Sequence, residues 1–209
     1  MIPHYLVQSL SQNFKEGRSV PDSFFDQISP DAVKKVSITH WTPIEVIQRA
    51  MNYFKDSSLK ILDVGSGCGK FCHVGSMISS QHQFFGVEKR IELTTISQDI
   101  ASQFNLTRVK FINANAFDLD WNDFHLLYFF NPFWENHLSP AQRIDKSLPV
   151  KKEEFSYYIN TVILKLSQMK PGAQVITYHG FGGKFPPSYE CIHFENCGTD
   201  QIKIWLKTK

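Results

Sequence analysis

The sequence contains only four cysteines among 209 residues, and their spacing does not suit a metal site. Cys68 and Cys72 are separated by three residues, while Cys191 and Cys197 lie far along the chain. Structural zinc sites need two closely spaced pairs or added histidines, and disulfide frameworks are typical of short secreted chains. We therefore expect reduced thiols and no bound metal.

Long apolar runs and a strong charge of either sign are also missing. Twenty-two basic and 20 acidic residues leave a net charge of +2, so the overall charge draws the chain neither to nucleic acid nor to an anionic membrane. No segment approaches the roughly 20 apolar residues that cross a bilayer. Residues 1–12 lack the basic and apolar regions of a signal peptide. The expectation is a cytoplasmic protein without a membrane partner.

The residues that are present indicate one globular domain of the α/β class. Hydrophobic residues make up 42% of the chain and charged residues 20%, and 18 phenylalanines require a large core or an aromatic pocket. From residue 59 onward, short apolar runs alternate with segments of helical period, which is typical of parallel strands joined by helices. The predicted strands are residues 59–64, 84–87, 109–112, 124–130, 173–178, 189–194 and 201–206, the last two forming an antiparallel hairpin, and the predicted helices are residues 71–78, 93–104 and 155–169.

The first 58 residues lack this alternation, and we predict that they form an N-terminal helical appendage to a domain spanning residues 59–209. Apolar positions between residues 44 and 54 recur at helical spacing. Pro43 fits the first turn of that helix and Thr42 its cap. Residues 131–152 are rich in proline and polar side chains and predict a long surface connection, which in a compact domain is commonly functional.

A glycine turn, residues 65–69, follows the first predicted strand and precedes a helix. Such turns present backbone N–H groups to nucleotide ligands. A phosphate loop is excluded, because Gly65 and Gly69 are four apart and Lys70 precedes Phe71 instead of serine or threonine. A dinucleotide fingerprint fits Gly65 and Gly67, but Lys70 stands where its third glycine belongs. That second possibility stays open.

Residues 61–69, ILDVGSGCG, resemble motif I of the class I S-adenosylmethionine-dependent methyltransferases. The resemblance continues in order along the chain, over residues 59–206. Glu88 ends the second strand, where the family keeps an acidic residue. The later matches are Asn115-Ala116-Phe117 after the third strand, Asn131-Pro132-Phe133-Trp134 after the fourth and Lys170-Pro171-Gly172 before the fifth. The family implies a three-layer, Rossmann-like mixed sheet of seven strands with the last one antiparallel.

The resemblance also implies a cofactor, S-adenosyl-L-methionine, and the residues that hold it. Glu88 would accept hydrogen bonds from both ribose hydroxyls, which are stronger for a charged acceptor. The backbone of residues Gly65, Ser66 and Gly67 would lie close to the cofactor, where a side chain would not fit. Asp63 would reach the methionine amino group through water. The remaining cofactor contacts implied by the family are Thr42 at the methionine carboxylate, Asn115, Ala116 and Phe117 around the adenine, and Asn131.

The segment from Asn131 to Trp134 resembles the Asn-Pro-Pro-Tyr motif of amino-methylating members of the family. In that motif the asparagine and the next backbone carbonyl accept hydrogen bonds from a planar amine, and an aromatic side chain stacks on the substrate. The resemblance thus makes Asn131, Pro132 and Phe133 the catalytic residues and implies transfer to nitrogen. Because methyl transfer mainly needs a collinear approach, positioning supplies much of the rate.

The methyl acceptor is less defined by the sequence. Phe133, Trp134, Tyr178 and Phe181 are aromatic candidates for stacking a base or an aromatic small molecule, but Lys151-Lys152 is too short a basic run for a nucleic-acid surface. A protein side chain or a small molecule is therefore favoured over nucleic acid.

Two other functions remain possible at this point, an NAD-binding Rossmann oxidoreductase and a non-catalytic module that keeps the methyltransferase fold. Among the eight histidines, His179 ranks first as a site residue, because it follows the fifth strand, where loops line the ligand crevice of open α/β sheets.

Overall fold

The computed structural model describes residues 1–35, 37–133 and 152–209. Most of the predicted connection, including Trp134 and Lys151, lies outside the described residues, and the side chain of Lys152 is not described either. Two compact units contain the described residues, Met1–Ala116 and Phe117–Lys209. The predicted boundary between residues 58 and 59 stays a prediction.

The described residues form eight α-helices and seven strands. The helices are α1 (His4–Lys15), α2 (Asp22–Phe25), α3 (Asp31–Lys34), α4 (Ser37–His40), α5 (Ile44–Tyr53), α6 (Lys70–Ile78), α7 (Ile91–Gln103) and α8 (Lys152–Gln168). The strands are β1 (Lys60–Val64), β2 (Gln83–Glu88), β3 (Val109–Asn113), β4 (Leu126–Phe130), β5 (Gln174–Tyr178), β6 (Tyr189–Cys197) and β7 (Asp200–Lys207). No described helix has both the length and the apolar character needed to cross a membrane.

The strands form one mixed sheet in the order β3-β2-β1-β4-β5-β7-β6. Strands β1, β2 and β3 pair in parallel in the first unit, and β4 pairs in parallel with β5 in the second. Strand β7 runs antiparallel to both β5 and β6. The seven-stranded α/β sheet with an antiparallel last strand, predicted from the sequence, is confirmed.

The composition of β4 explains why this segment forms a buried strand. All five of its residues are apolar or aromatic, and four of them, Leu126 to Phe129, are at most 1% exposed. A strand buried on both faces reads as such a continuous apolar run.

Helix α1 was not predicted from the sequence as a separate element. Its buried residues are Leu6, Leu10 and Phe14, spaced four apart on one helical face. Both α1 and α5 pack against α6.

The start of α5 differs from the prediction in one respect. Pro43 occupies the N-cap position, and no side chain of that residue caps the helix. The Ile44 N–H instead donates to Asp22 Oδ1 at 3.1 Å. The prediction that Thr42 caps this helix is therefore wrong, because a carboxylate from α2 satisfies the free N–H group.

Candidate functional site

The glycine turn lies at the carboxyl end of β1 and is bound to the end of β2. The N–H groups of Gly65 and Ser66 donate to the Val87 carbonyl at 3.0 and 2.9 Å. Gly65, Gly67 and Gly69 have φ values of 78°, 55° and 79°, in the left-handed region that side chains disfavour. The turn therefore depends on its glycines for its backbone path.

Gly67 is also in close contact with an aromatic side chain. A Cβ atom on Gly67 would lie 2.1 Å from Cζ3 of Trp41. The indole of Trp41 thus lies directly against the turn, 7% exposed, and Thr42 beside it is 5% exposed. Trp41 was not among the predicted site residues, because its partner Gly67 lies 26 positions further along the chain.

Glu88 lies at the carboxyl end of β2 with its carboxylate turned to the glycine turn. Oε2 accepts from the Gly67 N–H at 3.1 Å and from the Arg90 guanidinium at 3.3 Å. Oε1 accepts from the Arg90 N–H and from Arg90 Nε, each at 2.9 Å. Four donors satisfy the hydrogen-bonding capacity of a carboxylate. A ribose diol at Glu88 must therefore replace at least the Arg90 guanidinium.

Asp63 is a buried carboxyl group near the same turn. Its nearest described hydrogen-bonding group is the Cys72 thiol, with Sγ 3.9 Å from Oδ2. Burial, followed by the neighbouring charge of Glu88, raises the pKa of Asp63 from 3.8 to about 8, while the thiol acts weakly in the opposite direction. Close by, the Ser66 hydroxyl is buried without a described hydrogen-bond partner. Such groups fit a ligand that brings a positive charge and hydrogen-bond donors.

The end of β3 is bound to the end of β2. The side-chain amide of Asn113 donates to the carbonyl oxygens of Glu88 and Lys89, both at 3.0 Å, and the Ala114 N–H donates to the Glu88 carbonyl at 3.2 Å. Asn115 follows as an exposed residue, and a short 3-10 helix, Ala116–Asp118, comes next. Within the first unit, two of the predicted adenine residues, Asn115 and Ala116, thus follow directly on the strand end that is bound to Glu88.

In the second unit, β4 and β5 are each followed directly by a residue with unusual backbone geometry. Asn131 has a φ of 43° and His179 a φ of 60°. Asparagine and histidine adopt this left-handed conformation more readily than most side chains. The Asn131 N–H donates to the Gly180 carbonyl at 2.9 Å, which joins the two strand ends. The Asn131 side chain makes no hydrogen bond to another described residue, so its amide is available to a ligand.

Three half-buried aromatic rings lie beside the turn that contains Pro132 and Phe133. Phe133 stacks on Tyr158 with ring centroids 5.2 Å apart and an angle of 26° between planes. Phe117 lies 5.9 Å from each of these rings. Tyr158 was not among the predicted site residues, since its position on α8 fits an ordinary core stripe equally well. Flat, partly exposed rings of this kind are suited to stacking.

Two of the predicted aromatic candidates have a different role. Tyr178 is 1% exposed and Phe181 is fully buried, so both belong to the core and neither is open to an acceptor.

His179 is partly exposed, but both of its ring nitrogens have partners. Nδ1 lies 2.9 Å from Asp200 Oδ2, and Nε2 lies 3.3 Å from the Thr199 hydroxyl. These contacts tie the end of β5 to the start of β7.

Comparison with known proteins gives similarity of sequence over a short segment and similarity of fold over most of the chain. No protein-family model matches. Over 72 residues the chain is 32% identical to the release factor glutamine methyltransferase of Buchnera aphidicola subsp. Acyrthosiphon pisum, a segment that covers 34% of this chain and 26% of that protein. The chain thus spans about a quarter of the length of this curated relative.

Solved structures of methyltransferases share the fold at low sequence identity. An RNA methyltransferase from Salinibacter ruber, in complex with S-adenosyl-L-homocysteine, gives a TM-score of 0.55 at 16% identity and covers 80% of this chain and 94% of its own. TrmN from Thermus thermophilus gives 0.58 at 16% identity, covering 83% and 51%. An rRNA methylase from Escherichia coli gives 0.53 at 13% identity, covering 99% and 78%.

The strand order, the antiparallel β7 and these structural neighbours agree with the resemblance seen in the motifs. The chain has the fold of the class I methyltransferases.

Proposed function

We propose that the protein is an S-adenosyl-L-methionine-dependent methyltransferase. The observation that carries this proposal is the bond between the Gly67 amide and Glu88, which joins a glycine turn to an acidic residue at the carboxyl ends of two neighbouring parallel strands. The antiparallel β7 supports this function over an NAD-dependent oxidoreductase, since dinucleotide folds extend the sheet with parallel strands.

The residues of the first unit fit the parts of this cofactor. Asp63 is a buried carboxyl without a cationic partner among the described residues, which suits the methionine amino group. Glu88 offers a carboxylate to the ribose once the Arg90 guanidinium is displaced. The close neighbour of Gly67 is the Trp41 indole, which would border the cofactor at this turn. When bound, the cofactor supplies a methyl group activated by its attachment to a sulfonium.

We further propose that the acceptor atom is a nitrogen of a protein side chain or a small molecule. The side-chain amide of Asn131 can accept a hydrogen bond from a planar amine. The backbone of this residue is held by the hydrogen bond from its N–H to the Gly180 carbonyl, and this fixes the direction in which the side chain can accept. Phe133 and Tyr158 offer a flat surface beside it. These residues orient an acceptor without any strong base, which is sufficient for displacement at an activated methyl.

Calorimetric titration tests the cofactor assignment. S-Adenosylhomocysteine should bind and NAD should not, and only the first should raise the melting temperature. A radiolabelled methyl transfer assay with protein, small-molecule and RNA fractions then tests the acceptor. Labelled RNA would contradict the proposed acceptor but not the activity, and NAD binding would contradict both. Cofactor binding without any labelled acceptor would favour the non-catalytic module.

Asn131→Ala is expected to lower turnover about fivefold while leaving the affinity for S-adenosylhomocysteine unchanged. The reason is the loss of one hydrogen bond that orients the acceptor, and such a bond contributes about 1 kcal/mol. Steady-state kinetics together with calorimetry separate the two quantities. Full activity in the variant would show that Asn131 serves only the turn.

A further inference from the structure

Lys70 is the first residue of α6 and is 3% exposed, which is an unusual place for a cation. Burial removes the hydration of its ammonium group, and the positive end of the helix dipole opposes its charge. Two carboxylates compensate, because Nζ lies 2.6 Å from Asp22 Oδ1 and 3.1 Å from Asp26 Oδ1. The proposed cofactor has no phosphate for this lysine to bind, so the function described above leaves Lys70 without a role.

Asp22 is shared between Lys70 and a second helix. The same Oδ1 atom that receives the Lys70 ammonium also accepts the N–H of Ile44, the first residue of α5, at 3.1 Å. Asp26 also pairs with Lys70, but within the described part of the chain it accepts no hydrogen bond from α5. Asp22 therefore links the beginning of α5 to the beginning of α6.

The residues immediately before Ile44 are Trp41, Thr42 and Pro43, which we call the covering segment. Its indole lies against Gly67, three positions before Lys70. The indole N–H donates to the Val33 carbonyl at 3.4 Å. The covering segment is thus held at its C-terminal end by Asp22 and contacts the same turn from which Lys70 begins α6.

We propose that Lys70 and Asp22 are positioning residues for the cofactor, holding the covering segment against the glycine turn. This inference rests on the proposed function. If the covering segment is already in place, it need not be ordered when the ligand binds. The contacts of Asp22 with Lys70 and with the Ile44 N–H therefore raise the affinity by preorganisation. Neither Lys70 nor Asp22 contacts the cofactor in this arrangement, because both act through the segment from Trp41 to Pro43.

The chain offers a matched pair of variants for the test. Asp22→Ala removes one partner of Lys70 and the acceptor for Ile44, whereas Asp26→Ala removes only a partner of Lys70. We expect Asp22→Ala to raise the dissociation constant for S-adenosylhomocysteine about five- to tenfold and Asp26→Ala to change it less than about twofold. Asp22→Asn keeps an oxygen for the Ile44 N–H and should recover part of the affinity.

Two further measurements separate positioning from a general loss of stability. Urea unfolding gives the stability of each variant, and hydrogen exchange reports the backbone N–H groups of residues 41, 42 and 44–47, since Pro43 has none. These amides should exchange faster in Asp22→Ala than in Asp26→Ala. Equal affinities in the two variants, or tighter binding in Asp22→Ala, would overturn the inference. A wild-type chain that binds no S-adenosylhomocysteine would instead overturn the proposed function, and the inference with it.

Discussion

Glu88→Ala is expected to weaken the binding of S-adenosylhomocysteine by about 1.5 to 3 kcal/mol, or about 10- to 150-fold in the dissociation constant. This is the range for hydrogen bonds to a charged group, and the ribose diol would lose its only charged acceptor on β2. The variant also leaves the Gly67 N–H without its described acceptor, so the turn itself becomes less well ordered.

Titration calorimetry measures the effect, and Glu92→Ala is a matched control. Glu92 is exposed in the first turn of α7, four residues after Glu88, so its loss should leave the affinity unchanged. Glu88→Gln keeps one accepting oxygen without the charge and should fall between wild type and Glu88→Ala. An unchanged dissociation constant in Glu88→Ala would remove Glu88 from the binding site.

Strand positions and sheet class could be predicted from the sequence because each strand carries its own local signal. The predicted run of residues 173–178 matches β5 to within one residue at its start, and the two ends coincide. Helix α1 could not be predicted with the same ease. Its apolar stripe is only three residues long, and most of its other residues are exposed.

The glycine turn was predicted from its spacing, and Asp63 and Glu88 from the resemblance to the motifs of the family. The three lie close together at the ends of β1 and β2, and their role in binding stays a prediction. Contacts between distant positions were not predictable. Trp41 contacts Gly67, and Asp22 accepts a hydrogen bond from Lys70, 48 positions further along the chain. No local sequence pattern predicts either contact.

Exposure was the other property that the sequence did not reveal. Tyr178 and Phe133 were both predicted to stack on an acceptor, because both are aromatic and lie near strand ends. The structure buries Tyr178, whose hydroxyl donates to the Cys197 carbonyl at 2.9 Å, and leaves Phe133 half-buried. The last hairpin covers Tyr178 through Cys197 and Thr199, which lie 19 and 21 positions further along the chain.

Asp63→Asn is expected to remove a large pH dependence of stability. In the folded chain the pKa of Asp63 is raised to about 8 by burial and by the charge of Glu88, whereas the unfolded chain has the ordinary value of 3.8. Between these two values the folded chain holds a proton that the unfolded chain has released. The free energy of unfolding therefore falls as the pH rises from about 4 to about 8 and is level above that.

The difference between wild type and variant isolates this contribution. From about pH 5 to about pH 8.5, wild type should lose about 2 to 4 kcal/mol of stability relative to Asp63→Asn. His73 acts in the opposite direction, because burial lowers its pKa from 6.5 to about 4 and stability is lost as the pH falls through that range. Its contribution cancels in the difference, since both proteins contain it. Parallel urea-unfolding profiles would contradict a buried, proton-bearing Asp63.

The same carboxyl group predicts that S-adenosylhomocysteine displaces a proton when it binds. A cationic amino group beside Asp63 favours the ionised carboxylate, so the proton held near pH 7 should be released. Calorimetry in buffers of different ionisation enthalpy counts the released protons. We expect about half a proton or more per site in wild type and clearly fewer in Asp63→Asn. Equal release in the two proteins would place the amino group away from Asp63, because the variant has no carboxyl proton at this position to lose.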